Sequence, residues 1–82
     1  MQHVKVLFFA TLRDRAGVRS VDLEVPADST VAAVKQTVAA RYPALQDLLR
    51  HTVTAVNREY VLDSSLIPPE AEIALFPPVS GG

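Results

Sequence analysis

One segment of this sequence carries a helical repeat long enough for several turns, and it lies between apolar runs that have the pattern of β-strands. Within residues 27–43, valines recur at helical spacing and alanines fill the positions between them. Ser29 or Thr30 is suited to cap the first amide groups, and Pro43 disfavours helical geometry at the residue before it. The economical arrangement for one principal helix is to pack its apolar stripe across a β-sheet.

The strand-like runs define the rest of the predicted fold. They comprise, in chain order, residues 4–10, 20–25, 52–57, 60–62 and 73–76. A short helical segment is predicted at residues 44–50 and a turn at residues 57–59. The predicted fold is an α+β domain of order β, β, α, β, β, β, with a mixed sheet and one main helix packed across it. In the β-grasp roll, which has this order, the first and last strands lie side by side at the centre of the sheet.

Length and composition restrict the class of function. The chain of 82 residues forms one domain, which we place at residues 1–76 and follow with a flexible tail at residues 77–82. A net charge of −1 and scattered basic residues give no electrostatic basis for binding nucleic acid or a membrane. The N-terminus lacks the features of a signal peptide, and no apolar run approaches the roughly 20 residues of a membrane span. A cytoplasmic protein is expected.

The side chains show no catalytic centre. The absence of cysteine excludes disulfides, thiolate metal sites and cysteine nucleophiles. His3 and His51 have neither metal-ligand nor catalytic spacing with a carboxylate, so both are expected on the surface. The three glycines, Gly17, Gly81 and Gly82, do not form a phosphate-binding loop. We therefore expect a chain that binds no metal or cofactor and that is not catalytic by itself.

The C-terminal sequence FPPVSGG, residues 76–82, is the remaining candidate for a functional site. Pro77 and Pro78 lack amide hydrogens and have a fixed φ, so they should end the last strand and direct the chain away from the sheet as a stiff stub. The tail that begins with these prolines reaches roughly 20 Å when fully extended.

The end of that tail is thin and carries the terminal carboxylate. Val79 and Ser80 are modest in size, while Gly81 and Gly82 have no Cβ and fit a channel too narrow for ordinary side chains. An α-carboxylate is ionised at neutral pH and is a poor electrophile in that form. Activation by another protein, such as ATP-dependent adenylation, is therefore needed before the terminus can form a thiocarboxylate or an isopeptide.

Three stretches resemble a known family: KVLFFA at residues 5–10, AVN at residues 55–57, and above all FPPVSGG at the end. They are similar to the small, sulfur-carrier subunits of molybdopterin synthase, a MoaD/ThiS-like family with a ubiquitin-like β-grasp fold. The resemblance covers the whole chain. Its ending is the most specific part, because thiamine-pathway sulfur carriers share the Gly-Gly end but usually lack the FPPV lead-in. Ser80 stands where threonine is also common.

The resemblance implies a role in molybdenum cofactor biosynthesis. An adenylyltransferase related to ubiquitin-activating enzymes would consume ATP to adenylate Gly82, and sulfur transfer would convert that residue to a thiocarboxylate. The tail would then insert into the active site of the large subunit of molybdopterin synthase and pass its sulfur to precursor Z, cyclic pyranopterin monophosphate. The implied assembly contains two large and two small subunits.

Strand alternation predicts where such a partner docks. Lys5 marks the wetter face of the first strand, which places Phe9 on that face and Phe8 toward the helix. Phe76 would face outward from the last strand, and Tyr60 would complete an exposed aromatic patch of several hundred Å². A register error of one residue would instead place Phe9 in the core.

Arginines follow the first strand in a predicted loop. Arg13 and Arg15 either pair with acidic side chains of the partner or are simply solvated. Arg13 is included with the aromatic residues as a candidate for the partner interface.

Three alternative functions remain open from the sequence. The chain could carry sulfur for thiamine biosynthesis, or it could be a ubiquitin-like modifier whose Gly82 becomes linked to lysines of other proteins. It could also be a non-catalytic binding module that works through its aromatic patch alone. Loss of the two terminal glycines would leave only the last of these functions intact.

Overall fold

The predicted principal helix is present in the computed structural model, which describes residues 1–78 of the chain. Helix α2 spans Val31–Arg41, and its N-cap is Thr30, whose Oγ1 accepts a hydrogen bond of 3.2 Å from the amide of Ala33. The helix ends where the Tyr42 amide donates to the carbonyl of Val38, immediately before Pro43. The cap and the stop are therefore those that the sequence predicted.

Strands and short helices complete the described chain. In order they are β1 (Gln2–Phe8), α1 (Thr11–Ala16), β2 (Ser20–Val25), α2, a 3₁₀ turn (Pro43–Leu45), α3 (Gln46–Leu49), β3 (Val53–Val56), β4 (Glu59–Val61) and β5 (Glu72–Phe76). The turn between β3 and β4 places Asn57 and Arg58 at positive φ. This pair is typical of a tight hairpin turn, in which asparagine tolerates left-handed geometry.

The five strands form one mixed sheet with the order β2-β1-β5-β3-β4. Strands β1 and β5 are parallel at the centre, with Phe8 opposite Leu75, and all other neighbouring pairs are antiparallel. The predicted adjacency of the first and last strands is confirmed, and the architecture is a β-grasp roll. Strands β1, β5 and β3 each have a neighbouring strand on both edges, and β2 and β4 are the edge strands.

The core lies between the inner face of the sheet and α2. Inward-facing side chains of the central strands pack against the valine stripe of the helix, and these residues are almost fully buried: Val4, Val6, Phe8, Ile73, Leu75, Val31, Val34 and Val38. The ring of Tyr42 packs edge-on against Phe8, with 5.6 Å between the ring centroids. The alternation predicted for β1 and β5 is confirmed, so Phe9 does not belong to the core.

The predicted loop after β1 is wrong in one respect. Thr11–Ala16 forms the short helix α1, so Arg13 and Arg15 are helical rather than loop residues. The helix is anchored by Leu12, which is fully buried, and it ends at Gly17, whose φ of 77° is the left-handed geometry that glycine adopts readily. Six residues with one buried side chain are too few for a helical period to be visible in the sequence.

The segment between β4 and β5 has no regular structure over most of its length, as predicted, but it closes the first turn of α2. The carbonyls of Ser65 and Asp63 accept hydrogen bonds from the amides of Val31 and Ala32. The ammonium group of Lys35 lies 2.8 Å from Asp63 Oδ1 and 3.4 Å from the carbonyl of Thr52. Buried Lys35 thus ties α2 both to this segment and to the start of β3.

Candidate functional site

The outer face of the sheet carries a cluster of aromatic rings, defined by Phe9, Tyr60 and Phe76 and called the aromatic cluster below. The rings of Phe9 and Phe76 are stacked, with 4.7 Å between centroids and 15° between ring planes. Tyr60 lies 6.4 Å from Phe76 at a tilt of 56°. These distances lie within the range of favourable aromatic pairs. The three candidate interface residues that the sequence indicated therefore occupy one continuous surface.

Sheet register explains why these residues meet. The parallel pairing sets Leu7 against Ala74 and Phe8 against Leu75, so the residues that follow, Phe9 and Phe76, emerge side by side. In the antiparallel part of the sheet, Ala55 pairs with Tyr60, and it also pairs with Ala74. Small alanine side chains in this row leave room for the rings above them. The cluster is thus produced by strand pairing and not by any local sequence motif.

Exposure within the aromatic cluster is uneven. Tyr60 is 76% exposed and Phe9 is 38% exposed, whereas Phe76 is half-buried between them. Stacking of the two phenylalanines removes part of each ring from water, so the patch is smaller than three free rings would give. Tyr60 adjoins the two stacked phenylalanines, so the three rings form a contiguous exposed patch, which is the kind of surface that marks an interaction site.

Residues that the sequence analysis did not assign to the surface extend the aromatic cluster. Val53 is exposed opposite Phe76 in the register of β3 with β5, and Val53, Tyr60, Phe76 and Pro77 line a shallow, mostly apolar recess of about 390 Å³. Leu62, just beyond β4, is also exposed. The alternation of β3 could have indicated Val53, since Ala55 and Val53 must share a face.

Arg13 lies near the opposite side of the aromatic cluster. Arg13, Arg19, Leu7 and Phe9 contribute to the lining of a second recess of about 300 Å³. Both arginines are exposed, and within residues 1–78 neither forms a salt bridge. Arg13 was indicated by the sequence and Arg19 was not, because only the β1–β2 hairpin brings Arg19 back beside Phe9. The Phe8 amide donates to the Arg19 carbonyl at 2.8 Å.

The histidines lie on the surface, as predicted. The side chain of His3 is 46% exposed and lies 3.3 Å from Asp22 and 3.6 Å from Glu70, while His51 follows α3 in an exposed turn. Within residues 1–78, no group of three or more histidine, aspartate or glutamate side chains is arranged to hold a metal ion. In that part of the chain, no helix has both the length and the apolar composition needed to cross a membrane.

The start of the C-terminal segment belongs to the same surface. Strand β5 ends at Phe76, and Pro77 follows it into the recess lined by Tyr60 and Val53. Pro78 is exposed and is the last residue that the structure describes. Val79, Ser80, Gly81 and Gly82 lie outside the described residues, so their predicted roles, and the assignment of residues 77–82 as a flexible tail, stay predictions.

Comparison with known proteins identifies the family. The model of the ThiS family matches residues 6–82, which is nearly the whole chain. This chain belongs to the ThiS family. Among its relatives is the molybdopterin synthase sulfur carrier subunit of Arabidopsis thaliana, 35% identical over 96% of this chain and 82% of the relative. The protein of the same name from Homo sapiens is 38% identical over 96% of this chain and 93% of the relative.

Solved structures show the same fold. Small archaeal modifier protein 1 from Haloferax volcanii superposes with a TM-score of 0.87 and 29% identity, covering 96% of this chain and all of the archaeal one. By sequence, small archaeal modifier protein 1 from the same organism is 34% identical over 90% of this chain and 94% of the relative. A complex of subunits 1 and 2 of the molybdopterin-converting factor from Helicobacter pylori contains a chain with a TM-score of 0.68 and 18% identity, covering 98% of this chain and 99% of that chain.

Proposed function

We propose that this chain is the sulfur-carrier subunit of molybdopterin synthase and that Gly82 is its reactive residue. The observation that carries the proposal is the position of Phe76 and Pro77: the strand that completes the aromatic cluster also delivers the C-terminal segment, so docking and tail delivery share one surface. The names of the relatives and the family membership support a sulfur-carrier role.

The proposed chemistry resides on the main-chain terminus. The Gly82 carboxylate attacks the α-phosphate of ATP, which releases pyrophosphate and forms an acyl adenylate. A sulfur donor then supplies sulfur at the oxidation level of sulfide, a C–S bond replaces the C–O bond to phosphate, and AMP leaves. The thiocarboxylate sulfur then forms a bond to a carbon of precursor Z and displaces an oxygen from it. Water cleaves the acyl C–S bond, so the sulfur stays on the precursor and the Gly82 carboxylate is restored. Adenylation makes these steps possible because it converts a poor acyl electrophile into one with a good leaving group.

Other proteins supply the catalysis in this proposal. An adenylyltransferase related to ubiquitin-activating enzymes binds the ATP, and the large subunit of molybdopterin synthase receives the tail, with two copies of each subunit in the assembly. The chain itself binds no cofactor and is a non-catalytic, sulfur-donating subunit. The aromatic cluster, together with Arg13, forms its docking surface for the large subunit, and Pro77, Pro78, Val79, Ser80 and Gly81 form the segment that enters the active site.

The proposal is tested by intact-mass analysis of the terminus. After incubation with ATP, the adenylyltransferase and a sulfur donor, the wild-type chain should show one oxygen replaced by sulfur, located at Gly82 by fragmentation. A chain lacking Gly82 and a chain extended by one residue are the matched controls. Both should fold as the wild type does, and neither should support molybdopterin synthesis by the large subunit. An unmodified wild-type terminus with an adenylyltransferase that modifies another carrier would contradict the proposal.

One observation favours a second candidate function. The 34% identity to small archaeal modifier protein 1 of Haloferax volcanii points to a protein modifier, whose Gly82 would be joined to lysine side chains of other proteins. Both functions require an activated Gly82, so the mass of the activated chain does not separate them. Digests of cell protein do separate them, because a modifier leaves remnants of its C-terminus on lysines, whereas a sulfur carrier is released with its carboxylate restored.

A further inference from the structure

The turn that follows β1 holds a strained residue at the border of the aromatic cluster. Ala10 has φ 51° and ψ −124°, a region in which a Cβ clashes with the backbone and which glycine normally occupies. The Leu12 amide donates to the Phe9 carbonyl at 3.1 Å, so residues 9–12 form a tight turn with Ala10 at its first central position. These angles match the type II′ turn, in which that position is usually glycine.

Anchors on both sides of Ala10 impose this geometry. Phe8 and Leu12 are both buried in the core, so the chain has only three residues in which to leave the strand and begin α1. The amide of Asp14 also donates to the Ala10 carbonyl at 3.1 Å, which fixes the backbone of the turn from its other end. Ala10 cannot relax to an ordinary conformation without disturbing one of these contacts.

Inside the described chain, the methyl group of Ala10 brings no evident gain that would offset the strain. The residue is exposed, and although it occupies the N-cap position of α1, its side chain offers no capping group. Where a left-handed residue is needed at the end of the same helix, the chain uses Gly17. A strained alanine without a compensating contact in the described chain is therefore expected to gain its compensation from a contact outside this chain.

We propose that the docking surface continues from the aromatic cluster past Phe9, and that the methyl group of Ala10 packs against the large subunit in the complex. This inference rests on the proposed function. The segment of the large subunit that binds here has an apolar side chain that contacts Ala10 and a carboxylate that enters the adjoining recess. Arg13 and Arg19 help line that recess, and no carboxylate among residues 1–78 is paired with either of them.

The substitution Ala10→Gly tests the inference with two readouts that should move in opposite directions. Relief of the strain should raise Tm by about 4 °C, since the gain exceeds the extra chain entropy of glycine. Loss of one buried methyl contact should weaken the Kd for the large subunit from the same genome about fourfold. A higher Tm with an unchanged Kd would overturn the inference, and so would a lower Tm, because the turn would then not be strained.

Glu70→Gly is the matched control. Glu70 also has a positive φ, of 58°, but it precedes β5 at the end of that strand remote from Phe76. Its replacement should leave the Kd unchanged, which shows that new glycine flexibility alone does not weaken binding. If Glu70→Gly weakens binding as much as Ala10→Gly does, the proposed contact between Ala10 and the large subunit is contradicted.

The acidic character of the occupant has its own test. Arg19→Gln should weaken the Kd several-fold at low salt, and the difference should shrink as the salt concentration rises. Arg50→Gln removes the same charge next to α3, away from the docking surface, and should have little effect. Equal changes in Kd for the two substitutions would contradict the proposal that a carboxylate of the large subunit binds in this recess. Failure of the wild-type chain to bind the large subunit at all would instead contradict the proposed function.

Discussion

At the residue scale, Thr54 is a polar residue buried among the apolar side chains of the inner face of the sheet. It lies in β3 opposite Leu75, is 2% exposed, and its hydroxyl has no hydrogen-bond partner among residues 1–78. A buried hydroxyl that forms no hydrogen bond loses its hydration without compensation, which costs about 1–3 kcal/mol. The inner face of the sheet therefore contains one position where an apolar residue of the same shape would fit better.

Replacement of this hydroxyl predicts a gain in stability. Thr54→Val keeps the branched shape and removes the desolvation cost, so the free energy of unfolding should rise by about 1 kcal/mol. Urea denaturation monitored by circular dichroism measures the change as a higher midpoint with an unaltered slope. Thr52→Val is the matched control, because the Thr52 hydroxyl donates to the Leu49 carbonyl at 3.0 Å and its loss should lower the midpoint. A lower midpoint for Thr54→Val would contradict the prediction.

At the scale of one element, α2 depends on the rest of the chain for most of its N-terminal contacts. Its first two amides donate to Ser65 and Asp63, which lie more than thirty residues away in the sequence, and only the third is capped by Thr30. In the same segment, the Ile67 amide donates a hydrogen bond to the Ser29 carbonyl, just before the helix. The segment before β5 is therefore part of the helix cap, although its composition reads as a loop.

Loss of the Thr30 cap predicts a moderate destabilisation. Thr30→Val leaves the amide of Ala33 without its acceptor and should lower the free energy of unfolding by about 1 kcal/mol. Thr37→Val makes the same chemical change on the exposed side of α2 and should alter it by less than about 0.5 kcal/mol. Thermal denaturation of both variants measures the difference. Equal midpoints for the two variants would show that the Thr30 hydroxyl does not act as a cap.

At the scale of the whole molecule, the core lies on one face of the sheet and the proposed docking surface lies on the other. The inner face and α2 form the core, while the aromatic cluster occupies the outer face at the end where β1 and β5 finish. Charged residues such as Lys5, Asp22 and Glu24 cover the other part of the outer face. Side chains of the proposed docking surface can therefore be removed without opening the core, and binding can be tested apart from folding.

Phe76 is the expected centre of that docking surface. Phe76 contacts both other rings. Phe76→Ala should therefore raise the Kd for the large subunit roughly thirtyfold, which corresponds to a loss of about 2 kcal/mol of binding free energy and is usual for a central aromatic residue of an interface. Calorimetric titration measures the change, and the circular dichroism spectrum should stay that of the wild type.

Leu66→Ala is the control for Phe76→Ala. Leu66 is 69% exposed and forms an isolated bridge with Thr30, away from the aromatic cluster. Its truncation also removes exposed apolar surface, but it should leave the Kd unchanged. Similar losses of affinity for both variants would contradict the placement of the docking surface.

The sequence alone determined the local features of this protein. The period of the valines in α2, the alternation in β1 and β5 and the Asn57–Arg58 turn are set by residues close together in the chain, so a single sequence displays them. It also indicated Phe9, Tyr60, Phe76 and the C-terminal glycines, because strand alternation and chain position do not depend on the partner strand.

Only the tertiary structure decided which distant residues meet. Parallel pairing of β1 with β5 stacks Phe9 on Phe76, the hairpin returns Arg19 to Phe9, and the buried anchors Phe8 and Leu12 force Ala10 into a glycine conformation. None of these three arrangements can be recognised from a short stretch of sequence, since each results from contacts between segments that are distant in the chain. The physical reason is that patterns report which face a residue occupies, whereas packing of the whole chain decides which residue lies beside it.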